Sequence, residues 1–186
     1  RKRILPSFIK SLPQILKYKL SLSNFERIDI DIKYQDYQKI EFDRGRALKD
    51  TILSNATTVN AKLRYKGREH KVKIRLKGDL PDHWFSKYRM SLRVELNNKK
   101  TIFGFNKFSL QKPFTRNHPY DYIFQSLMRD MGNISPEHNF VHVYVNGVDW
   151  GIMDMEEHMS RELLEKQRKK ESAIFRFSDD KKWFYE

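Results

Sequence analysis

The chain has 186 residues, which suits one domain or one domain with a short arm, and its 39% hydrophobic and 13% aromatic content is enough for a buried core, so a disordered chain is excluded. It contains no cysteine, which excludes disulfides, thiolate metal sites and cysteine catalysis. The net charge of +13 favours an anionic partner such as phosphate, nucleic acid, an acidic polymer or anionic lipid, although a solvated basic surface accounts for it equally well.

Residues 1–24 are predicted to form a basic amphipathic arm or juxtamembrane linker. Pro6 and Pro13 interrupt this segment. Its apolar side is formed by Leu5, Phe8, Ile9, Leu12, Ile15 and Leu16. Such a segment either contacts a membrane surface or packs on the domain that follows at 25–186, and both interpretations stay open. The sequence contains no run of about 18 apolar residues, so no membrane span is predicted.

The first half of the domain is predicted to be mainly sheet. Apolar and polar residues alternate in four stretches, as they do in half-buried strands: 28–32, 59–65, 72–76 and 90–96. Lys66-Gly67, between the second and third stretches, indicates a hairpin turn. Further sheet residues follow at Ile102, Phe108 and Leu110. A helix is predicted over 36–53, although Gly45 weakens it.

The second half combines helices with one hairpin. A helix is predicted over 119–131, with a buried face made of Phe124, Leu127, Met128 and Met131. A strand over 140–145, the turn Asn146-Gly147 and a return strand over 150–155 predict a hairpin. A charged helix and a short strand are then expected at 159–170 and 174–177. The predicted fold class is therefore α+β with an antiparallel sheet.

Two strand ends carry cations beside a turn. Lys77 and Gly78 follow the strand over 72–76, and a glycine flanked by cations lets backbone N–H groups approach a phosphate. Lys112 ends another strand, and Arg116 follows it just before a helix whose N-terminus favours anions. The alternatives are a polar β-turn at Gly78 and a solvated loop after Lys112, and both stay open.

One acidic pair and one histidine pair are candidates for metal or general-base chemistry. Glu156 and Glu157 are adjacent, so in a strand at most one of them can face a given site. The alternative is an acidic pair at the start of a helix, where the helix dipole favours it. His138 and His142 lie in strand-like sequence without a third ligand, so no metal site is predicted. The aromatic residues fall mostly in the alternating apolar set, which argues against a nucleic-acid-stacking surface.

Together, the segments resemble the first half of CotH-family domains, the atypical protein kinases named after a spore-coat protein, in the variant of large bacterial envelope members. The segments that carry the resemblance are Lys73–Asp79, His83-Trp84, Ser91–Val94, Ile102–Gly104, Lys107–Gln111, Thr115–Asn117, the helix at 120–131, Val143–Gly147, Gly151-Ile152, Glu156–His158, Leu163–Glu165, and Ala173–Phe177 with Asp179, Asp180 and Trp183.

The resemblance implies a kinase-like fold that phosphorylates protein serines with ATP and a divalent metal, Mg or Mn. The sheet-rich block would be the N-lobe, and the turn at Gly78 would take the place of the phosphate-covering loop. The helix at 120–131 would take the place of the regulatory helix. Residues 152–158 would lie near the hinge beside the adenine.

The resemblance also suggests residues for the nucleotide site. Lys112 is the leading candidate for the phosphate-binding lysine, with Arg75 and Lys77 as competitors. We expect these three cations to converge on one anion site. Glu156 and Glu157 are further candidates because they lie in the segment that would approach the nucleotide.

The sequence departs from a complete kinase in one respect. No stretch resembles the catalytic loop or the metal-binding aspartate motif, which lie in the C-lobe of a kinase. The chain is therefore expected to hold the N-terminal portion of the fold with the C-lobe largely missing. It is expected to be inactive as a kinase alone and to need no cofactor of its own. Catalytic residues stay unassigned.

The function predicted from the sequence is the nucleotide-facing portion of a CotH-like protein serine kinase of the bacterial envelope. The alternative is a non-catalytic envelope scaffold that binds acidic polymers or partner proteins through its basic surface. The resemblance implies an extracytoplasmic location with a membrane anchor upstream of residue 1. The protein substrate is not predicted.

Overall fold

Seven strands close into one barrel in the computed structural model, which describes residues 25–97 and 100–175. The strands are β1 Glu26–Ile32, β2 Val59–Tyr65, β3 Arg68–Leu76, β4 Leu92–Leu96, β5 Lys107–Gln111, β6 His138–Val145 and β7 Val148–Glu157. Their order around the barrel is β1-β2-β3-β4-β5-β7-β6. Neighbouring strands are antiparallel except β1 and β6, which run parallel and close the barrel.

Three α-helices accompany the barrel in the described part of the chain: α1 Tyr34–Asp50, α2 Tyr120–Asp130 and α3 Arg161–Lys166. The α+β class is therefore confirmed. Helix α3 is shorter than predicted, and Ile174 and Phe175 are not in a strand. None of the helices in these ranges is long and apolar enough to cross a membrane. The predicted arm 1–24 lies outside the described residues, as do Asp179 and Asp180.

The barrel interior is apolar because each strand alternates. Ile28 and Ile30 of β1, Leu63 of β2, Ile74 of β3 and Phe108 of β5 are all completely buried. Each such side chain contributes about 1.5–3 kcal/mol on leaving water. The same alternation sends the polar residues of these strands to the outer face, where the candidate site lies.

Both predicted hairpin turns are confirmed. Asn146 and Gly147 have φ of 50° and 79°, the left-handed values that a two-residue hairpin turn requires. Asn146 also holds β1, because its side-chain oxygen accepts a hydrogen bond from Ile32 N at 2.7 Å and its own N–H donates to Ile30 O at 2.8 Å. This one turn therefore sets the β6–β7 register and helps to close the barrel.

The predicted buried face of α2 is wrong. No residue of this helix is buried, and Phe124 and Leu127 are 55% and 54% exposed. Polar groups hold the helix instead: the Ser135 hydroxyl donates to the carbonyl of Gln125 at 2.8 Å, and Arg129 donates to the carbonyl of Pro136. The helical periodicity was correct, but periodicity cannot tell which side of a helix meets the rest of the protein.

Candidate functional site

Polar side chains gather on the outer face of the barrel where β3, β4, β5 and β7 lie side by side. The strand register places Arg75 opposite Arg93, Arg93 opposite Ser109, and Ser109 opposite Glu156. Two residues after Ser109 in β5, and on the same face, Gln111 is paired with Asp154 of β7. Four strands therefore contribute to one surface.

Glu156 is the centre of a hydrogen-bonded group, here called the Glu156 network, which comprises Lys77, Gln111, Arg116 and Glu156. Lys77 Nζ lies 2.8 Å from Glu156 Oε2, and Arg116 Nη2 lies 2.8 Å from both carboxylate oxygens. Gln111 donates to the same carboxylate at 2.6 Å and accepts from Lys77 Nζ at 3.1 Å. The side chains of Lys77 and Glu156 are each only 14% exposed.

The charges of the Glu156 network are unequal. Burial alone would raise the pKa of Glu156, but the positive charges of Lys77 and Arg116 outweigh it and lower that pKa to about 2. At Lys77 burial dominates and lowers the pKa to about 8, because the attraction of Glu156 is offset by repulsion from Arg116 and Arg93. Both cations bind the carboxylate of Glu156, and Arg116 Nε also lies 4.0 Å from Asp121 Oδ2, so the cations of this partly desolvated site are held between carboxylates.

A second polar group joins this network to α2. His138 Nδ1 lies 3.0 Å from both carboxylate oxygens of Asp154, and Gln111 Nε2 is 3.5 Å from the same carboxylate. His138 is almost fully buried, and its Nε2 atom has no hydrogen-bond partner among the described residues; Asp121 Oδ2 lies 3.9 Å from it. Burial lowers the pKa of His138, but the hydrogen bond and charge of Asp154 raise it overall.

The loop after Lys77 folds back tightly over Gly78. This glycine has φ of 93°, and a Cβ atom there would lie 2.1 Å from Cγ of His83. The Trp84 indole donates to the carbonyl of Gly78 at 3.0 Å. Arg44 of α1 fixes the far side of the loop by donating to the carbonyl of Trp84 at 2.8 Å. A glycine is therefore required at this position for two separate reasons.

The sequence-predicted cations occupy different positions around this face. Lys77 belongs to the Glu156 network. Arg75 is exposed and its guanidinium donates to the neighbouring carbonyl of Leu76 at 3.2 Å. Lys112 is half-buried; burial lowers its pKa, attraction from Asp82 raises it and repulsion from Arg89 lowers it further. The described contacts join neither Arg75 nor Lys112 to Glu156.

The two adjacent glutamates are separated as strand alternation predicted. Glu156 faces outward into its network, whereas Glu157 Oε1 lies 3.6 Å from Lys166 and Glu157 Oε2 accepts from Glu137 N at 3.2 Å. Burial raises the pKa of Glu157. The alternative interpretation, an acidic pair at a helix start, is wrong because both residues lie in β7 and α3 begins only at Arg161.

Sequence reasoning missed Gln111 and Asp154 of this region; it named Arg116 only as a cation before a helix, and His138 only in the rejected metal pair. One signal was available for Asp154, since it lies two positions before Glu156 and thus on the same face of β7. Gln111 and Arg116 approach Glu156 only through the β5–β7 pairing. No group of three or more His, Asp or Glu residues within 25–97 and 100–175 is arranged to hold a metal ion.

Comparison with known proteins gives one family. A family model described as CotH kinase protein matches residues 74–184, which is more than half of the chain. The matched segment begins in β3 and contains all four residues of the Glu156 network. No curated protein matches the chain.

Proposed function

The chain belongs to the CotH kinase protein family, and from this premise we propose that it is the nucleotide-facing portion of a CotH-like protein serine kinase, with the Glu156 network at the phosphate end of its ATP site. The observation that carries the proposal is the pair of partly buried cations, Lys77 and Arg116, that meet at the carboxylate of Glu156 beside the Gly78 turn, with Arg116 also 4.0 Å from Asp121. Partly desolvated cations that are held in fixed positions suit a phosphate group.

Lys77 is the best candidate for the phosphate-binding lysine. In protein kinases a lysine on the third strand is paired with a glutamate that holds it for the phosphates. Lys77 follows β3 directly and is held by Glu156 at 2.8 Å and Gln111 at 3.1 Å. The glutamate here comes from strand β7 and not from a helix. A triphosphate would therefore meet a lysine whose position is already fixed.

The divalent metal would need ligands from elsewhere. Lys77 and Arg116 fit phosphate oxygens, and Glu156 is already engaged by both. When bound, Mg or Mn would supply positive charge that neutralises the phosphates. The location at the bacterial envelope, with an anchor upstream of residue 1, rests on the resemblance and forms part of the proposal.

A scaffold that binds acidic polymers is the second candidate. The observation in its favour is the row of exposed basic residues on the outer face of β2 and β3, which includes Lys62, Lys71, Lys73 and Arg75. A polymer held by such a surface would bind through many weak contacts, and its affinity would fall steeply with salt.

Titration with a fluorescent ATP analogue separates the two functions. Lys77→Met should weaken binding about tenfold or more, because a hydrogen bond to a charged group is lost. Lys73→Met is the matched control, since it removes an exposed lysine from β3, the strand that Lys77 directly follows, and it should bind like the wild type. The difference should persist at about 0.5 M salt, roughly three times the physiological ionic strength. Equal losses in both variants, or no binding by the wild type, would reject the nucleotide site.

Phosphate transfer by this chain alone is not expected, because its sequence has no stretch like a kinase catalytic loop. Incubation with labelled ATP, Mg or Mn, and generic acceptor proteins should leave the acceptors unlabelled. Robust transfer that co-purifies with the chain would contradict this expectation.

A further inference from the structure

The ring of His83 lies directly on the backbone of Gly78. A Cβ atom built on that glycine would lie 2.1 Å from His83 Cγ and 2.2 Å from Cδ2, far inside contact distance. The absence of a side chain at Gly78 is what lets the ring approach. Because Lys77 precedes this glycine, the imidazole is brought next to the phosphate end of the proposed site.

The orientation of the imidazole is fixed from the opposite side. His83 Nδ1 lies 2.9 Å from the hydroxyl oxygen of Ser91. The backbone of Ser91 is held in turn, since its N–H donates to His83 O at 2.7 Å and its carbonyl accepts from Lys77 N at 3.0 Å. Nδ1 is thus occupied, and Nε2 has no protein partner among the described residues.

The charged groups that act on this ring come from three segments. Burial lowers the pKa of His83, and the charges of Lys77 and Arg116 lower it further. Asp79 and Asp82 in the same loop act in the opposite direction. The surroundings therefore favour the neutral ring, and an anion bound between it and the two cations would favour its protonated form.

We propose that Nε2 of His83 binds a phosphate oxygen of the anion that Lys77 and Arg116 attract. This assignment rests on the proposed nucleotide site and adds to it a residue from the loop over Gly78. The loop would then contribute a side-chain donor in addition to its backbone. The anion class is a polyphosphate, either as part of a nucleotide or free.

Two substitutions of His83 test the contact with the complete 186-residue chain. His83→Asn keeps an amide near the position of Nδ1 but removes Nε2, whereas His83→Gln places an amide near Nε2. Binding of tripolyphosphate and of the ATP analogue should fall about tenfold in His83→Asn and less in His83→Gln. Equal affinities of the wild type and His83→Asn for both probes would overturn the proposal.

The pH profile provides a second criterion that a purely structural role would not affect. Wild-type affinity should rise relative to His83→Asn as the pH falls from about 8 to about 6, roughly the range in which a histidine gains its proton. The difference between the two proteins isolates His83, because Lys77, His138 and the phosphates titrate in both. A constant ratio across this range would overturn the protonated contact.

Nuclear magnetic resonance of the wild type needs no variant to remain folded. The imidazole signal missing from His83→Asn identifies His83, and tripolyphosphate should raise its pKa. If tripolyphosphate does so but ATP does not bind, the nucleotide function fails and the phosphate contact stands. If Lys77→Met abolishes ATP binding while the His83 signal never responds to either probe, the contact fails and the nucleotide function stands.

Discussion

The barrel has two charged outer faces that differ in burial, not in residue type. On the face of β2 and β3, Lys62 and Glu69 form an ion pair of 3.0 Å with 57% and 45% of their side chains exposed. On the face of β3, β5 and β7, Lys77 and Glu156 form a pair of 2.8 Å with only 14% of each exposed. The distances are similar, but the second pair has lost most of its water.

Strand β3 contributes to both faces, so the difference arises from what covers them. Glu69 lies near its start, in the open hairpin, whereas Lys77 follows its end, where the loop over Gly78 and the segment carrying Arg116 close around it. Exposed pairs contribute little to stability because water competes for both charges. Buried charges depend on their partners, so each partner there becomes essential.

Removal of one carboxylate from each face should give the largest contrast. Glu156→Ala leaves the buried Lys77 and the partly exposed Arg116 without their shared anion, and we expect unfolding to become easier by about 3 kcal/mol, mainly through Lys77. Glu69→Ala should change the free energy of unfolding by only about 0–1 kcal/mol. Urea denaturation at neutral pH measures both. Similar losses in the two variants would show that the Glu156 network is no more buried in solution than the surface pair.

The dependence of stability on acid pH should also distinguish the two faces. The pKa of Glu156 is lowered from 4.5 to about 2 in the folded protein. Its contribution to stability is therefore complete above about 4.5 and is lost as the pH falls through about 2, because the unfolded chain takes up the proton first. The urea midpoint of the wild type should fall in this window more steeply than that of Glu156→Gln. Glu69→Gln is the matched control and should follow the wild-type curve; identical curves for all three proteins would refute the shift.

The hairpin turns offer a smaller contrast. Gly67 and Gly147 have φ of 71° and 79°, and β-branched residues resist such values. Each substitution by Val should destabilise the fold by roughly 1 kcal/mol or more. Gly147→Val should have the larger effect, because the neighbouring Asn146 also bonds to β1 through Ile30 and Ile32. Unchanged thermal midpoints in both variants would contradict the turn geometry.

These comparisons also show where sequence reasoning succeeds. The two hairpins and the interior positions of the strands were predicted because alternation and turn residues are local signals. The Glu156 network was not, because Gln111 and Arg116 meet Glu156 only after β5 has paired with β7. The prediction of a buried face on α2 was wrong for the same reason: Phe124 has helical spacing, but its environment depends on contacts distant in sequence.

Lys112 should give the smallest effect and the sharpest test of the predicted convergence of cations. It was the leading sequence candidate for binding phosphate, yet the described contacts bring Lys77 and not Lys112 to Glu156. The charge of Asp82 raises the pKa of Lys112 while burial and Arg89 lower it, so its surroundings are the loop over Gly78 and not the network. A cation outside the Glu156 network should attract a polyphosphate mainly through long-range charge, which salt screens.

We therefore expect Lys112→Ala to weaken binding of the ATP analogue by less than about fivefold at low salt, the size of effect that a solvent-screened charge has. At high salt we expect no loss of binding. Lys77→Met, measured beside it, should keep its larger loss at both salt concentrations. If Lys112→Ala instead causes a large loss that survives high salt, Lys112 contacts the phosphate directly. The convergence of Lys77 and Lys112 would then hold as the sequence suggested, and the boundary of the site would extend from the Glu156 network to the end of β5.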